Sequence, residues 1–295
     1  YFTNMSYESD MTDDDYYNCI LNYNNEKVNF IYGYPFKTSN SLINPGFPHM
    51  DDIFEMYGVC VDKKDKDSVL FTTLGGIYYY TNQKLYQRNT IMIEEKDGTK
   101  TYVSNGMNMH TTYSLKTDPL NHNHQLLLNT DLGLTHSYNG GKTWIRSHEG
   151  IKHEWINTIY DLEFDKEKEG IAYSVWSSRH DAPYLANEDE TTNVYGGFAI
   201  SYDSGKTWDS EYSTGLPEHI NPVKISVVYN KGSNERTIYL TSFNFGNYVS
   251  YDSGKTFSEL NDGIPKVNNN KYIFGGDILA ADGKVFMLTA RTVYN

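Results

Sequence analysis

The chain has 295 residues, 25 Lys and Arg against 38 Asp and Glu, and a formal charge of −13. That balance, with no basic stripe anywhere along the chain, disfavours nucleic acid and anionic membrane surfaces as partners, and no apolar run is long enough to span a bilayer. The 27 Tyr, 13 Phe and 4 Trp suit strand packing and leave rings available for stacking on sugars.

The chain opens on Tyr1-Phe2-Thr3-Asn4, with neither an initiator Met nor an apolar leader, and so reads as a processed or truncated sequence. The acidic run Asp13, Asp14 and Asp15 reads as a solvated or capping run rather than a calcium loop. From Tyr16, "YYNCILNYNNEKVNFIYGYP" reads as strands around a polar turn, and "YGVCVDKKDKDSVLFTTLGGIYYYTN" from Tyr57 repeats it. Cys19 and Cys60 fall at matching places in these two units. That predicts buried apolar packing, with a disulfide as the alternative, and no zinc site.

Thr111 to Trp144 aligns with Val223 to Phe257 as strand, polar turn, strand, turn, strand, tight turn, strand. "NTIYDLEFDKEKEGIAYSVWSS" and "GGFAISYDSGKTW" supply the unit between them, and "YIFGGDILAADGKVFMLTARTVYN" begins another. Each full unit is four antiparallel strands, the size of one propeller blade. The expectation is an all-β single domain over 1–295, with five blades and a fragment visible and an incomplete ring.

The strongest repeat is an eight-residue turn: "SYNGGKTW" at Ser137–Trp144, "SYDSGKTW" at Ser201–Trp208 and "SYDSGKTF" at Ser250–Phe257. Asp can bond backbone amides across the bend, Gly supplies positive φ, and the aromatic residue plugs a neighbouring sheet. Chemistry needs a group once, so three copies predict architecture. The pattern Ser-x-Asp-x-Gly-x-Thr-Trp resembles the Asp-box, or BNR repeat, of sialidase-like β-propellers, a group that includes xyloglucanase-like hydrolases and the sortilin luminal domain. The first copy has Asn139 in place of Asp and the third has Phe257 in place of Trp. The resemblance implies a secreted, extracellular or periplasmic protein whose boxes are scaffold.

Blade topology sorts the loops. With strands A to D running up and down, A–B and C–D turns share one face, and B–C and D–A connections share the other. "NHNH" at Asn121–His124 is an A–B turn and reads as a solvated hairpin rather than a metal tract. The opposite face carries Asp131 in "NTDLG", where Gly133 permits close backbone approach. It also carries the long B–C loop Ser177–Gly197 with Arg179, His180 and Asp181, and the D–A connection with Trp155 and Asn157. Phe243, Asn244 and Phe245 reach the same rim from the next blade.

Xyloglucanase-like members carry a catalytic Asp in an Asp-x-Gly-Gly turn, which Asp131-Leu132-Gly133 resembles up to Leu134. The expected function is a glycoside hydrolase acting on a poly- or oligosaccharide. Asp131 and Asp181 form its acid/base pair, His180 carries or tunes the proton, and Trp155, Asn157, Arg179 and Phe245 bind substrate, with no cofactor and no metal. The alternative is a non-catalytic glycan- or protein-binding module. An exo-sialidase is disfavoured, since it needs three arginines around a carboxylate and the chain holds only Arg88, Arg146, Arg179, Arg236 and Arg291.

Overall fold

The computed structural model describes residues 2–6, 17–24, 27–35, 56–61, 69–73, 76–81, 84–87, 90–107, 112–180, 194–211, 214–230, 232–264, 266–267, 271–272, 275–281 and 283–289. β1 (Phe2–Ser6), β2 (Tyr17–Asn24) and β3 (Lys27–Pro35) form a three-stranded sheet. β4 (Met56–Val61), β5 (Val69–Thr73), β6 (Gly76–Thr81) and β7 (Lys84–Gln87) form a four-stranded antiparallel blade. β8 (Thr90–Glu94) and β9 (Lys100–Ser104) pair as an exposed ribbon that the repeat pattern does not announce.

The next blade is β10 (Thr112–Thr117), β11 (Gln125–Asn129), β12 (Gly133–Ser137) and β13 (Ile145–Arg146). A 3-10 turn at His153–Trp155 precedes β14 (Thr158–Phe164), β15 (Ala172–Ser177) and β16 (Gly196–Ser201). The fourth strand of that blade is reduced to a bridge, with Ile200 and Asp209 exchanging amide-to-carbonyl bonds of 3.0 and 2.7 Å. A full blade follows in β17 (Pro222–Tyr229), β18 (Arg236–Ser242), β19 (Asn247–Ser250) and β20 (Ser258–Glu259). β21 (Lys266–Val267) pairs with β22 (Lys271–Tyr272), and β23 (Gly275–Ala281) with β24 (Lys284–Thr289). The protein is therefore all-β, of the β-propeller type with four-stranded antiparallel blades, and no α-helix occurs among the described residues.

By contacts the chain divides into two compact units, residues 1–117, 121–127 and 135–145, and residues 118–120, 128–134 and 146–295. The first has a core of Leu70, Ile77, Met107, Leu115, Leu127 and Trp144. In the second, Trp176 meets Trp208 of its own blade edge-on at 5.9 Å, and Phe198 meets Phe257, the turn aromatic residue of the following blade, edge-on at 5.1 Å. Burial of each such side chain contributes about 1.5–3 kcal/mol.

The three repeated turns have one geometry. The Ser hydroxyl oxygen accepts the Gly amide at 2.8, 2.6 and 2.8 Å, and Asn139, Asp203 and Asp252 each accept the Thr amide at 2.9 Å. Trp144, Trp208 and Phe257 are all buried. Turn and A–B connection meet in each blade: Gly140 N donates to Asn123 O, Ser204 N to Gly170 O, and Ser253 N to Arg236 O.

A second periodic element joins successive blades and escapes notice in the sequence. Asn105-Gly106, Glu149-Gly150 and Thr214-Gly215 each precede the blade whose turn they hold. Trp144 N donates to Asn105 O at 2.7 Å, Trp208 N to Glu149 O at 2.9 Å, and Phe257 N to Thr214 O at 2.8 Å. Each Gly has φ between +84° and +91°, and a Cβ on it would lie 2.0 Å from the aromatic residue's carbonyl oxygen. Positive φ and backbone crowding together restrict the position to Gly.

Two readings of the sequence need correction. β2 is the middle strand of its sheet whereas β4 is the first of its own, so Cys19 and Cys60 do not occupy matching strands; a disulfide between them involves side chains outside the described residues. His124 is buried rather than solvated, its Nε2 3.0 Å from His136 Nδ1 and its ring stacked on Tyr138 at 4.8 Å. The A–B turn folds this imidazole back over its own blade.

Candidate functional site

The Asp131 turn is built by its neighbours. Leu132 N donates to Thr130 O at 2.7 Å, and the Asn129 side-chain amide spans the bend to Gly133 O at 3.0 Å. Asp131 itself takes φ = 60°, a left-handed conformation that Asp tolerates better than most side chains. Gly133 has φ = 65° and donates to Asn157 O at 3.0 Å, and a Cβ there would lie 2.7 Å from Ile156 O. The close approach read from the sequence is thus made by the connection that carries Asn157.

Asp131 Oδ1 receives two side chains from the following blade, His180 Nδ1 at 3.0 Å and Asn157 Nδ2 at 3.3 Å. Its Oδ2 takes the Thr130 hydroxyl at 3.5 Å. The Asn157 orientation follows from its other end, where Oδ1 accepts the Thr158 hydroxyl at 2.6 Å and so turns the NH2 toward Asp131. The Asp131 and His180 side chains are 33% and 38% exposed, so the pair is anchored yet open to solvent.

His180 is placed by its backbone. The Tyr160 hydroxyl, from β14, donates to the carbonyls of Arg179 at 3.2 Å and His180 at 2.9 Å, and the Ser177 hydroxyl donates to Arg179 O at 3.0 Å. Ser178 and Tyr195 close the stem of the long loop, with Ser178 N donating to Tyr195 O at 2.7 Å and Tyr195 N to Ser178 Oγ at 2.9 Å. Phe243 meets the Tyr160 ring edge-on at 5.6 Å. With Nδ1–H donated to Asp131, the imidazole presents Nε2 as a proton acceptor, an arrangement suited to general acid–base work.

The structure does not bring every expected residue to this cluster. Asp181 lies outside the described residues. Arg179 enters through its backbone, as above. Trp155 is only 6% exposed, with Lys152 Nζ 5.0 Å from its ring centroid, so the open sugar platform expected of it is not there. It walls a recess of about 760 Å³ with Tyr195, Leu216, Glu154, Glu211 and Glu218. Phe245 is half-buried, its amide donating to Ser242 Oγ at 3.0 Å; Phe243 is the aromatic residue packed on Tyr160. Asn244 braces the rim, accepting Asn221 N at 2.9 Å and donating to His219 O at 2.6 Å.

Sequence reasoning also passed over Tyr160 and Asp161. The alternating run "NTIYDLEF" offers one signal, a carboxylate within a strand. Asp161 is buried, with Lys224 Nζ 3.6 Å from Oδ1 and Ile225 N donating to Oδ2 at 3.3 Å. Of the arginines, Arg236 is sequestered in a bidentate pair with Asp165 at 2.8 and 3.1 Å, and Arg146 stands exposed on β13. Among the described residues no group of three or more His, Cys, Asp or Glu could hold a metal, and no helix is long and apolar enough to cross a membrane.

No family model matches the chain, and no curated protein matches it. Among solved structures it is similar to the Niastella koreensis GH74 enzyme, with TM-score 0.48 and 15% identity over 80% of this chain and 33% of that one. It is similar also to the GH74 xyloglucanase from Xanthomonas campestris, with TM-score 0.49 and 14% identity over 78% and 34%. A third is YCF48 from Cyanidioschyzon merolae, with TM-score 0.44 and 8% identity over 79% and 63%. The chain spans about a third of the length of the two GH74 structures.

Proposed function

We propose that the protein is a secreted, carbohydrate-active propeller of the Asp-box type, a glycoside hydrolase whose reacting centre is the rim around Asp131, Asn157 and His180. The observation that carries this reading is the 3.0 Å contact between Asp131 Oδ1 and His180 Nδ1, two side chains delivered by loops of consecutive blades and left half-open to solvent. Asp131 orients the imidazole through the contact to Nδ1. His180 Nε2 then moves the proton between water and the glycosidic oxygen as the anomeric C–O bond breaks and water adds at that carbon. Asp181, next in the chain, is the second carboxylate.

The test is glycan-array binding followed by product analysis on the hits. Asp131→Asn and Asp181→Asn should each lower turnover by about two orders of magnitude or more with the fold intact. Full activity in both variants on a confirmed substrate would remove the assignment.

A non-catalytic glycan-binding module is the second reading. It is favoured by the fact that Asp131 Oδ1 already accepts two protein donors, leaving less of the carboxylate for a reacting group. Glycan retention with no product formed, lost in Asp131→Asn, would select it.

A further inference from the structure

β14 does not run in regular register along β15. Ile159 opposes Trp176 and Asp161 opposes Val175, so Tyr160 is the extra residue of a β-bulge. The same irregularity falls near the start of β17, at Val223, and near the start of β23, at Gly276. A bulge that recurs in the first strand of three successive units belongs to the scaffold. The phenol that it carries in β14, where the other two carry Val and Gly, is a separate matter.

Successive side chains of a regular strand point to opposite faces, and a bulge removes that alternation locally. Tyr160 and Asp161 accordingly both reach the blade that follows. Phe243 meets the Tyr160 ring edge-on at 5.6 Å, while Asp161 Oδ2 accepts Ile225 N at 3.3 Å and Oδ1 lies 3.6 Å from Lys224 Nζ. The Tyr160 side chain is thereby held in a buried seam, and its hydroxyl proton is shared between the carbonyls of Arg179 at 3.2 Å and His180 at 2.9 Å. Those carbonyls belong to the two peptide planes on either side of the His180 Cα. Fixing both planes fixes the backbone dihedrals between them, and with those the direction in which the imidazole leaves the chain. A carboxylate oxygen only accepts, so the 3.0 Å contact of Asp131 Oδ1 with His180 Nδ1 places the proton on Nδ1 and leaves Nε2 as the acceptor.

We infer that Tyr160 is the positioning residue of the Asp131–His180 pair: the bulge aims its hydroxyl at both peptide planes around His180, and this anchorage sets the tautomer that the imidazole presents. The inference deepens the proposed reacting centre and rests on that reading for its kinetic consequence alone.

The test is 15N–1H NMR of the His180 ring at about pH 8, above the ordinary His range. The unaltered chain should show a slowly exchanging proton on Nδ1 and an unprotonated Nε2. Tyr160→Phe keeps the ring against Phe243 and removes only the hydroxyl; the slow proton should disappear and the two tautomers should mix while the fold persists. Phe243→Leu keeps the hydroxyl and loosens the ring, and should give a partial loss. Tyr173→Phe removes another buried hydroxyl of the same blade, one that binds Asp165, and should lower the thermal midpoint with the His180 signals in place. On a confirmed substrate Tyr160→Phe should lower kcat about ten- to a hundred-fold with KM little changed. Unchanged His180 signals in Tyr160→Phe would overturn the inference, as would an equal change in Tyr173→Phe, which would make it an effect of general stability. Should Tyr160→Phe unfold, Phe243→Leu decides alone, and unchanged signals there overturn it. Altered His180 signals in a chain that turns over no glycan in any form would uphold the positioning role and count against the hydrolase reading.

Discussion

Asn139 shows why one turn tolerates a departure from the pattern that the other two keep. Asp203 and Asp252 accept the hydroxyl protons of Thr207 and Thr256 at 2.7 and 2.6 Å, whereas Asn139 reverses the polarity and donates its amide to the Thr143 hydroxyl at 2.7 Å. A hydroxyl can play either part, so the bend survives. Ser204 and Ser253 sit at φ = 62°, where the first turn has Gly140. Their hydroxyls offset the strain: Ser204 donates to Asp118 at 3.3 Å, and Ser253 accepts Arg236 N at 2.8 Å. Asp203→Ala should destabilise by about 1–2 kcal/mol through unpaired turn donors and leave ligand affinity unchanged, which thermal midpoint and glycan binding measured together will check.

The same carboxylates set a pH dependence. Burial tends to raise Asp203 and Asp252, but hydrogen bonds from the Thr amide, the Thr hydroxyl and the Ser hydroxyl outweigh it and hold both below the ordinary Asp value. Burial likewise opposes Asp165, and the Arg236 guanidinium with the amides of Glu167 and Lys168 prevails. A carboxyl depressed in the folded state contributes stability that is complete above its unfolded pKa of about 3.9 and is lost as pH falls through the folded value. Stability should therefore decline steeply below about pH 4, less so in Asp252→Asn, as urea titrations at several pH values will show.

At the scale of elements, two devices hold successive blades of the second unit. One is the Gly element. Gly150→Ala places a methyl against the Trp208 carbonyl at a φ of +84° and should destabilise by about 1–3 kcal/mol, whereas Gly98→Ala, with no atom within 4 Å of the added Cβ, meets only its own φ of +83°. Comparing the two thermal midpoints isolates the crowding. The other device is the buried pair of Arg236 on β18 with Asp165 after β14, reinforced by Tyr173 O–H donating to Asp165 at 3.2 Å and by the Tyr229 ring 4.6 Å from the guanidinium. Burial foremost pushes the Tyr229 phenol up to about 12. Arg236→Ala leaves Asp165 charged and enclosed and should cost about 3–5 kcal/mol in urea denaturation. Arg236 lies in an ion pair for this reason and is no candidate for an anionic sugar.

For the whole molecule, the repeat spacing alone determined the four-stranded units, the equivalence of Trp144, Trp208 and Phe257, and the sorting of loops to two faces. These depend on period-2 strands, turn chemistry and chain direction, all of which are local and recur in every blade. Asp131, Asn157 and Gly133 were legible for the same reason, being turn and connection residues at fixed places in the repeat. Tertiary structure alone decided that Asp131 meets His180 of the following blade, that Trp155 is enclosed beneath Lys152, that Phe243 packs on Tyr160, and that His124 folds back against His136. It also revealed the Gly elements, whose partners lie 38 to 58 residues away and leave no mark within any one window of sequence. Side-chain partners across blades depend on the distance and angle at which sheets pack, and no local pattern encodes those.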